Sequence, residues 1–247
     1  MKFLKYLFSV IVLCLLLAAG GVIVYNGGIP ANIPETIKAC YEKVRSEISV
    51  AFYEKDDDYT FISTTPILQN PQFPTGCESV ALTMALESLG YDLSKTEIVD
   101  QYLIYDGQNY AAGFVGDPRS TNGGGIFPPG LTNTANNYLQ AQGSDYSAYN
   151  ISGTAFTDLF SYVDQGNSVL LWITYNYENP VFNGNSVYYD GQEYLWYQKE
   201  HCVMLGGYNL ADNTVLLYDP MKGLYKVPID TVESLYNQIG NFAVAIY

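Results

Sequence analysis

The residues most able to run chemistry in this 247-residue chain are its four cysteines and its one histidine. A nucleophilic cysteine needs a base within hydrogen-bond reach, and His201 is the only imidazole the chain offers. Among Cys14, Cys40, Cys77 and Cys202, Cys77 has the most telling position. Thr75 and Gly76 stand at the entrance to an expected helix from Cys77 to Leu89, closed by Gly90. The unpaired backbone N–H groups and positive dipole end of a helix start stabilise an anion there. Thiols so placed fall from a pKa of about 8.5 into the range of about 3.5–7.5, where they attack as thiolates. The plainer alternative is a buried cysteine that packs as a small hydrophobe. No zinc spacing or redox pair is present among the four, and at most one bridge, Cys40 to Cys202, is conceivable.

His201 opens the apolar run HCVMLGGYNL, and TVLLYDP returns after the polar turn residues Asn209, Asp212 and Asn213. A hairpin centred near Leu210 sets Asp219 across from His201, or within a residue or two. Cβ atoms facing each other in such a pair stand about 5 Å apart. An aspartate there holds the imidazole Nδ1–H, fixes the tautomer and stabilises the imidazolium. Strand alternation puts His201, Val203 and Leu205 on one face and Cys202 on the other, so Cys202 is a poor nucleophile for this base. A lone structural histidine and an Asp-Pro turn are common singly. The three together read as a Cys77–His201–Asp219 triad, in the chain order of papain-like enzymes.

The elements that must position these groups read as helices first and strands later. A short strand near Thr65 to Gln69 precedes the Cys77 helix, and Ser94 with Glu97 has the spacing of a capping box. A Gly/Pro-rich loop runs from Asp106 to Gly130, and helices follow near Asn133 to Ala141 and Thr154 to Gln165. Strands are expected at Ser168 to Tyr175, His201 to Tyr208, Thr214 to Asp219, Leu224 to Ile229 and Asn241 to Tyr247. Between the first two of these strands, Tyr175 to Gln198 holds six tyrosines, a Trp and the turn pairs Asn183-Gly184 and Asp190-Gly191, a hairpin-like excursion. Without βαβ alternation the class is α+β.

Composition narrows the rest. With 48% hydrophobic residues the chain supports one sizeable core. A net charge of −14 repels phosphate backbones and argues against nucleic acid as a partner. Residues Leu7 to Tyr25 carry no charge and follow Lys2 and Lys5. About 20 apolar residues span a bilayer, so residues 1–25 are expected as a transmembrane anchor, or else a cleaved signal ending at Ala18 to Gly21. Residues 26–58 read as a linker and an amphipathic helix from Pro34 to Val50, which is either a stalk or packed on the domain. Residues 59–247 form the domain, expected outside the cytoplasm: on the cell membrane if the segment stays, secreted if it is cleaved. The run Asp56, Asp57, Asp58 reads as a solvated turn.

Three segments, QNPQFPTGCESVALTMAL, FVGDPRSTNGGGIFPPGL and HCVMLGGYNLADNTVLLYDP, give the chain a family resemblance. They are similar to bacterial papain-fold peptidases related to the double-glycine leader peptidases of bacteriocin exporters, cysteine-peptidase family thirty-nine, in its stand-alone branch. The resemblance implies a papain-like α+β fold and a thiol-endopeptidase mechanism. By motif it makes Cys77 the nucleophile, His201 the base and Asp219 the orienting residue. An oxyanion-hole glutamine is expected shortly before the nucleophile, where Gln69 fits best and Gln72 second. No cofactor is implied, and the partner is a peptide or protein substrate at the cell surface. Two other readings stay open: an inactive papain-like domain that binds peptide or wall polymer, and an amidase or transpeptidase using the same triad. Neither a P-loop nor a multi-span transporter domain accompanies the resemblance.

Overall fold

The computed structural model describes residues 35–247. The apolar segment Leu7 to Tyr25 and the linker after it lie outside the described residues, and no helix of the described residues is long and apolar enough to cross a membrane. An antiparallel sheet organises the domain, in the order β2 (Ala148–Asn150), β9 (Ala243–Ile246), β3 (Ser168–Thr174), β6 (Glu200–Asn209), β7 (Thr214–Asp219) and β8 (Gly223–Pro228), with β1 (Thr60–Phe61) joined to β6. β3 and the inner part of β6 are buried at nearly every position, as central strands covered on both faces must be. β4 (Val181–Tyr189) and β5 (Gln192–Gln198) form a separate hairpin. It turns at Asp190-Gly191, both residues at positive φ as a tight hairpin turn requires. The second expected turn, Asn183-Gly184, instead falls inside β4, where the register shifts between Phe182 and Ser186.

Helix α2 (Cys77–Ser88) packs on β3 and β6 and is buried from Cys77 through Leu86. Its apolar residues cover more than one face, so it has no wet side. Helix α1 (Glu35–Tyr53) is not a free stalk. It lies along β8, where Ser46 Oγ accepts the Leu224 N–H at 3.0 Å and Arg45 donates to the Lys222 carbonyl at 3.0 Å. Gly223 sits at φ +83, and a side chain on it would collide with Ser46 Oγ.

Several expected elements shift for identifiable reasons. Helix α3 (Pro128–Ala141) starts five residues before the expected Asn133, because Pro128 and Pro129 occupy the first turn, where a missing N–H costs nothing. No strand forms at Thr65 to Gln69. That stretch crosses α2, and its upstream end is held by side chains, Thr64 N–H on Tyr218 Oη and Ile67 N–H on Met84 Sδ. The capping box at Ser94 does not form: Ser94 Oγ meets Thr96 Oγ1 at 2.8 Å, and the turn Lys95–Glu97 runs into a wider π-type turn, Ile98–Tyr102. The helix expected over Thr154 to Gln165 is a 3₁₀ turn, Phe156–Leu159, followed by α4 (Phe160–Asp164). Helix α5 (Ile229–Ile239) fills the stretch for which no element was expected. It buries Ile229, Val232, Leu235, Tyr236 and Ile239 and ends on left-handed Gly240.

Candidate active site

Cys77 is the first residue of α2, after Gly76 as N-cap. Thr75, beside it at the entrance, binds the neighbouring loop. Its Oγ1 donates to the Ser120 carbonyl at 3.0 Å and its N–H to the Pro118 carbonyl at 3.3 Å, fastening the glycine-rich loop over the helix start. The loop is closed on itself by Gly124 N–H to Val115 O and Val115 N–H to Gly125 O. Cys77 is left only 5% exposed.

The thiol does not meet the expected environment. Sγ donates to Glu78 Oε2 at 3.3 Å, and no hydrogen bond joins it to His201 among the described residues. Burial pushes the Cys77 thiol well above its ordinary value, and the charges of Glu78, Glu200 and Cys202 add to that, while the Cys202 backbone N–H works the other way. The lowered thiol expected from a helix start is therefore reversed in this geometry, because burial first, and the two carboxyls after it, outweigh the dipole. Glu78 is fully buried, accepts the Ile126 N–H at 2.7 Å through Oε1, and is pushed up to about 7, chiefly by burial. Glu200 opens β6, and its carboxyl is raised by burial and then by Glu78.

The other half of the site is complementary. His201 Nε2 and Asp219 Oδ1 are 2.8 Å apart, with 1% and 0% of their side chains exposed. Asp219 faces the imidazole through Nε2 rather than the expected Nδ1, which leaves Nδ1 free for another partner. The pair forms across a register two residues off the centred hairpin: Met204 pairs Tyr218, with a bulge between Leu205 and Gly207, and His201 itself pairs Ile173 of β3. Burial works to raise the Asp219 carboxyl. It is outweighed by the charge and hydrogen bond of His201, by Lys222 with Nζ 3.9 Å from Oδ2, and by the Met221 N–H at 2.7 Å, so the carboxyl sits below its ordinary value. Tyr177 covers this end. It follows Asn176 with both residues left-handed, and Lys222 Nζ lies 4.2 Å from its ring centre.

Gln69 is 2% exposed and threaded between the two halves. Its N–H donates to the Pro220 carbonyl at 2.8 Å, next to Asp219, and its side-chain Nε2 to the Pro74 carbonyl at 2.9 Å, three residues before Cys77. Gln72 is exposed. Beside Gln69 runs a groove of about 440 Å³ walled by Leu68, Pro71, Pro74, Thr121, Met221 and, from α1, Glu42.

The structure thus joins His201 to Asp219, ties Gln69 to both neighbourhoods, and seats Cys77 on an acid pair rather than on the imidazole. Cys40 and Cys202 are free thiols, exposed and buried respectively, so the one conceivable bridge is not formed. Glu78 and Glu200 were missed at the level of sequence. The available signal was a charge beside Cys77 at the head of a largely apolar helix, and a second one residue before His201. Sγ of Cys77 and a carboxylate oxygen from each of Glu78 and Glu200 lie within 4.8 Å of one another, close enough to share an ion. Hydrogen bonds from Cys77 Sγ and the Ile126 N–H occupy Glu78 without one.

The sequence is 28% identical over 186 residues to YvpB of Bacillus subtilis (strain 168), an uncharacterised protein, covering 71% of this chain and 70% of that one. A crystal structure of a candidate C39-like peptidase from Bacillus anthracis superposes with a TM-score of 0.63 at 24% identity, over 76% of this chain and 95% of that one, and shares its mixed helix and antiparallel-sheet fold. The model of the Peptidase_C39 like family matches residues 61–244, from β1 into β9 and across Cys77, His201 and Asp219. The chain belongs to the Peptidase_C39 like family.

Proposed function

We propose that this protein is a cysteine peptidase of papain-like design that hydrolyses peptide bonds in peptides or proteins outside the cytoplasm, at the cell surface. The observation that carries the reading is the buried His201–Asp219 pair at 2.8 Å in a chain whose family is peptidase-like. An aspartate so placed can orient the imidazole and stabilise its cation.

In this reading Cys77 Sγ attacks the scissile carbonyl carbon, forming the C–S bond as the carbonyl π electrons move onto oxygen. The oxyanion is met by the Cys77 backbone N–H at the helix start and by the Gln69 amide. That nitrogen carries two hydrogens, one of which is spent on Pro74 O. His201, held at Nε2 by Asp219, uses Nδ1 to take the thiol proton and deliver it to the leaving amine as the C–N bond breaks. Water, deprotonated by the same nitrogen, then releases the acyl group and restores the thiol. The groove beside Gln69 has the size of a small-ligand or side-chain subsite.

One observation favours a second reading, a domain that binds peptide or wall polymer without cleaving it. The resting thiol is hydrogen-bonded to Glu78, not to the base. Full-length protein and its Cys77→Ala variant, compared on peptide libraries and on wall fragments, decide between them. Cleavage of peptides by wild type alone supports the peptidase, cleavage of wall fragments alone an amidase. Binding by both proteins without cleavage leaves the second reading standing and removes the first.

A further inference from the structure

Behind the candidate nucleophile lies a pair of carboxyls that the reaction above does not use. Glu78 Oε2 takes the hydrogen bond of Cys77 Sγ while its Oε1 takes that of the Ile126 N–H. Ile126 is fixed at both backbone groups, since its carbonyl accepts Trp172 Nε1–H at 3.2 Å. Glu78 therefore cannot leave the sulfur without releasing the loop. Gly125 makes room for the pair: a Cβ there would stand 2.6 Å from Glu78 Oε1 and 3.0 Å from Glu200 Oε2. Glu200 Oε1 has no hydrogen-bond partner.

We propose that Glu78, backed by Glu200, holds the proton of Cys77 in the resting protein and acts as a brake on ionisation of the nucleophile. The proposal rests on the peptidase reading for the role of Cys77, but not for the chemistry of the thiol. Two carboxyls and a sulfur in one buried pocket cannot all carry charge. Cys77 faces Glu78 from α2; Glu200, His201 and Cys202 act on the cluster from β6, and Tyr197 from β5. His201 is the one basic side chain in that set, and it is held by Asp219. Glu78 accepts hydrogen bonds from both Cys77 Sγ and the Ile126 N–H, contacts that favour its charged form, so its charge is the one the thiol meets.

The test is the pH dependence of Cys77 alkylation by iodoacetamide in the full-length protein held in detergent micelles. Labelling is read by mass spectrometry on the peptide that contains Cys77, apart from the other cysteines. Burial slows every variant alike, so the midpoint of the pH profile carries the information. Glu78→Gln keeps an oxygen for the Ile126 N–H and removes the charge. Its midpoint should fall by at least one pH unit, which makes labelling about tenfold faster near pH 7. Glu200→Gln should shift the midpoint the same way by less, and it decides the matter if Glu78→Gln does not fold. An unchanged midpoint in the folded variants overturns the brake. Slower labelling in Glu78→Gln also overturns it, by making Glu78 the base of the thiol. If the midpoints shift and wild type cleaves nothing, the peptidase reading fails and the brake stands.

Discussion

The two ends of the site are built on opposite electrostatic plans. At the strand end, Asp219 is surrounded by groups that favour its charge: the imidazole, Lys222 and the Met221 N–H. At the helix end, Cys77, Glu78 and Glu200 are three acids in one pocket: burial raises all three, acidic neighbours raise Cys77 and Glu200 further, and the hydrogen bonds and His201 that pull Glu78 down do not undo its rise. Burial works to raise the carboxyls at both ends, so the net direction depends on whether their partners outweigh it: at Asp219 they do, and at Glu78 they do not. A buried aspartate beside a histidine is a finished device, whereas a buried thiol beside two carboxyls is held back and must be released by something that enters.

The largest effect that would break this contrast lies at the strand end. Asp219→Asn keeps the shape and removes the charge, so peptide hydrolysis should drop by about 10³–10⁴-fold. A loss under tenfold in initial rates would mean that the pair does not orient the base. The helix end should be visible in stability. Because the folded Glu78 carboxyl sits at about 7, against an ordinary 4.5, the unfolded chain releases its proton first. Stability should therefore fall as pH rises from about 4.5 to 7, by roughly 3 kcal/mol from this group. Denaturant melts at pH 5 and pH 8 should show that loss in wild type and a smaller one in Glu78→Gln. A flat difference between the two proteins would remove the acid pair from the account. Asp219 has the opposite sign: its contribution is complete above about pH 4 and is lost as pH falls below that.

Two smaller effects sharpen the picture. Gly125→Ala pushes a methyl against both carboxyls and should cost about 1–3 kcal/mol, seen as a lowered unfolding midpoint. Ser46→Ala leaves the Leu224 N–H unpaired far from the sulfur and should cost about 1 kcal/mol with little change in Cys77 labelling.

Periodicity and chain order made much of this legible. The Cys77 helix, the strands of Ser168, His201 and Thr214, and the hairpin at Asp190-Gly191 all lie close to where their patterns put them, because each is a local signal. The proximity of Asp219 to His201 was legible to within two residues, since one hairpin links them. What sequence could not give was the bulge near Gly206 that offsets the pairing, the ring nitrogen that faces Asp219, and the partner of the thiol. Glu78 and Glu200 lie 122 positions apart and meet because α2 packs on β6 beside the loop at Gly125 and Ile126. A dipole argument applied to Cys77 left out its burial as well as both carboxyls, and so gave the opposite direction. Helix α5 went unread because its stripe follows directly on β8, with Pro228 as the only break.

The clasp of α1 on the turn after Asp219 decides where the protein can be cut. A fragment starting at Tyr59 keeps every catalytic candidate but loses Ser46 and Arg45, baring the Leu224 N–H and the Tyr225 ring on which Arg45 lies at 4.0 Å. Those contacts border Lys222 and, three residues back, Asp219. A soluble form made for assay or crystallisation should therefore begin at or before Glu35, so that the helix travels with the turn it holds.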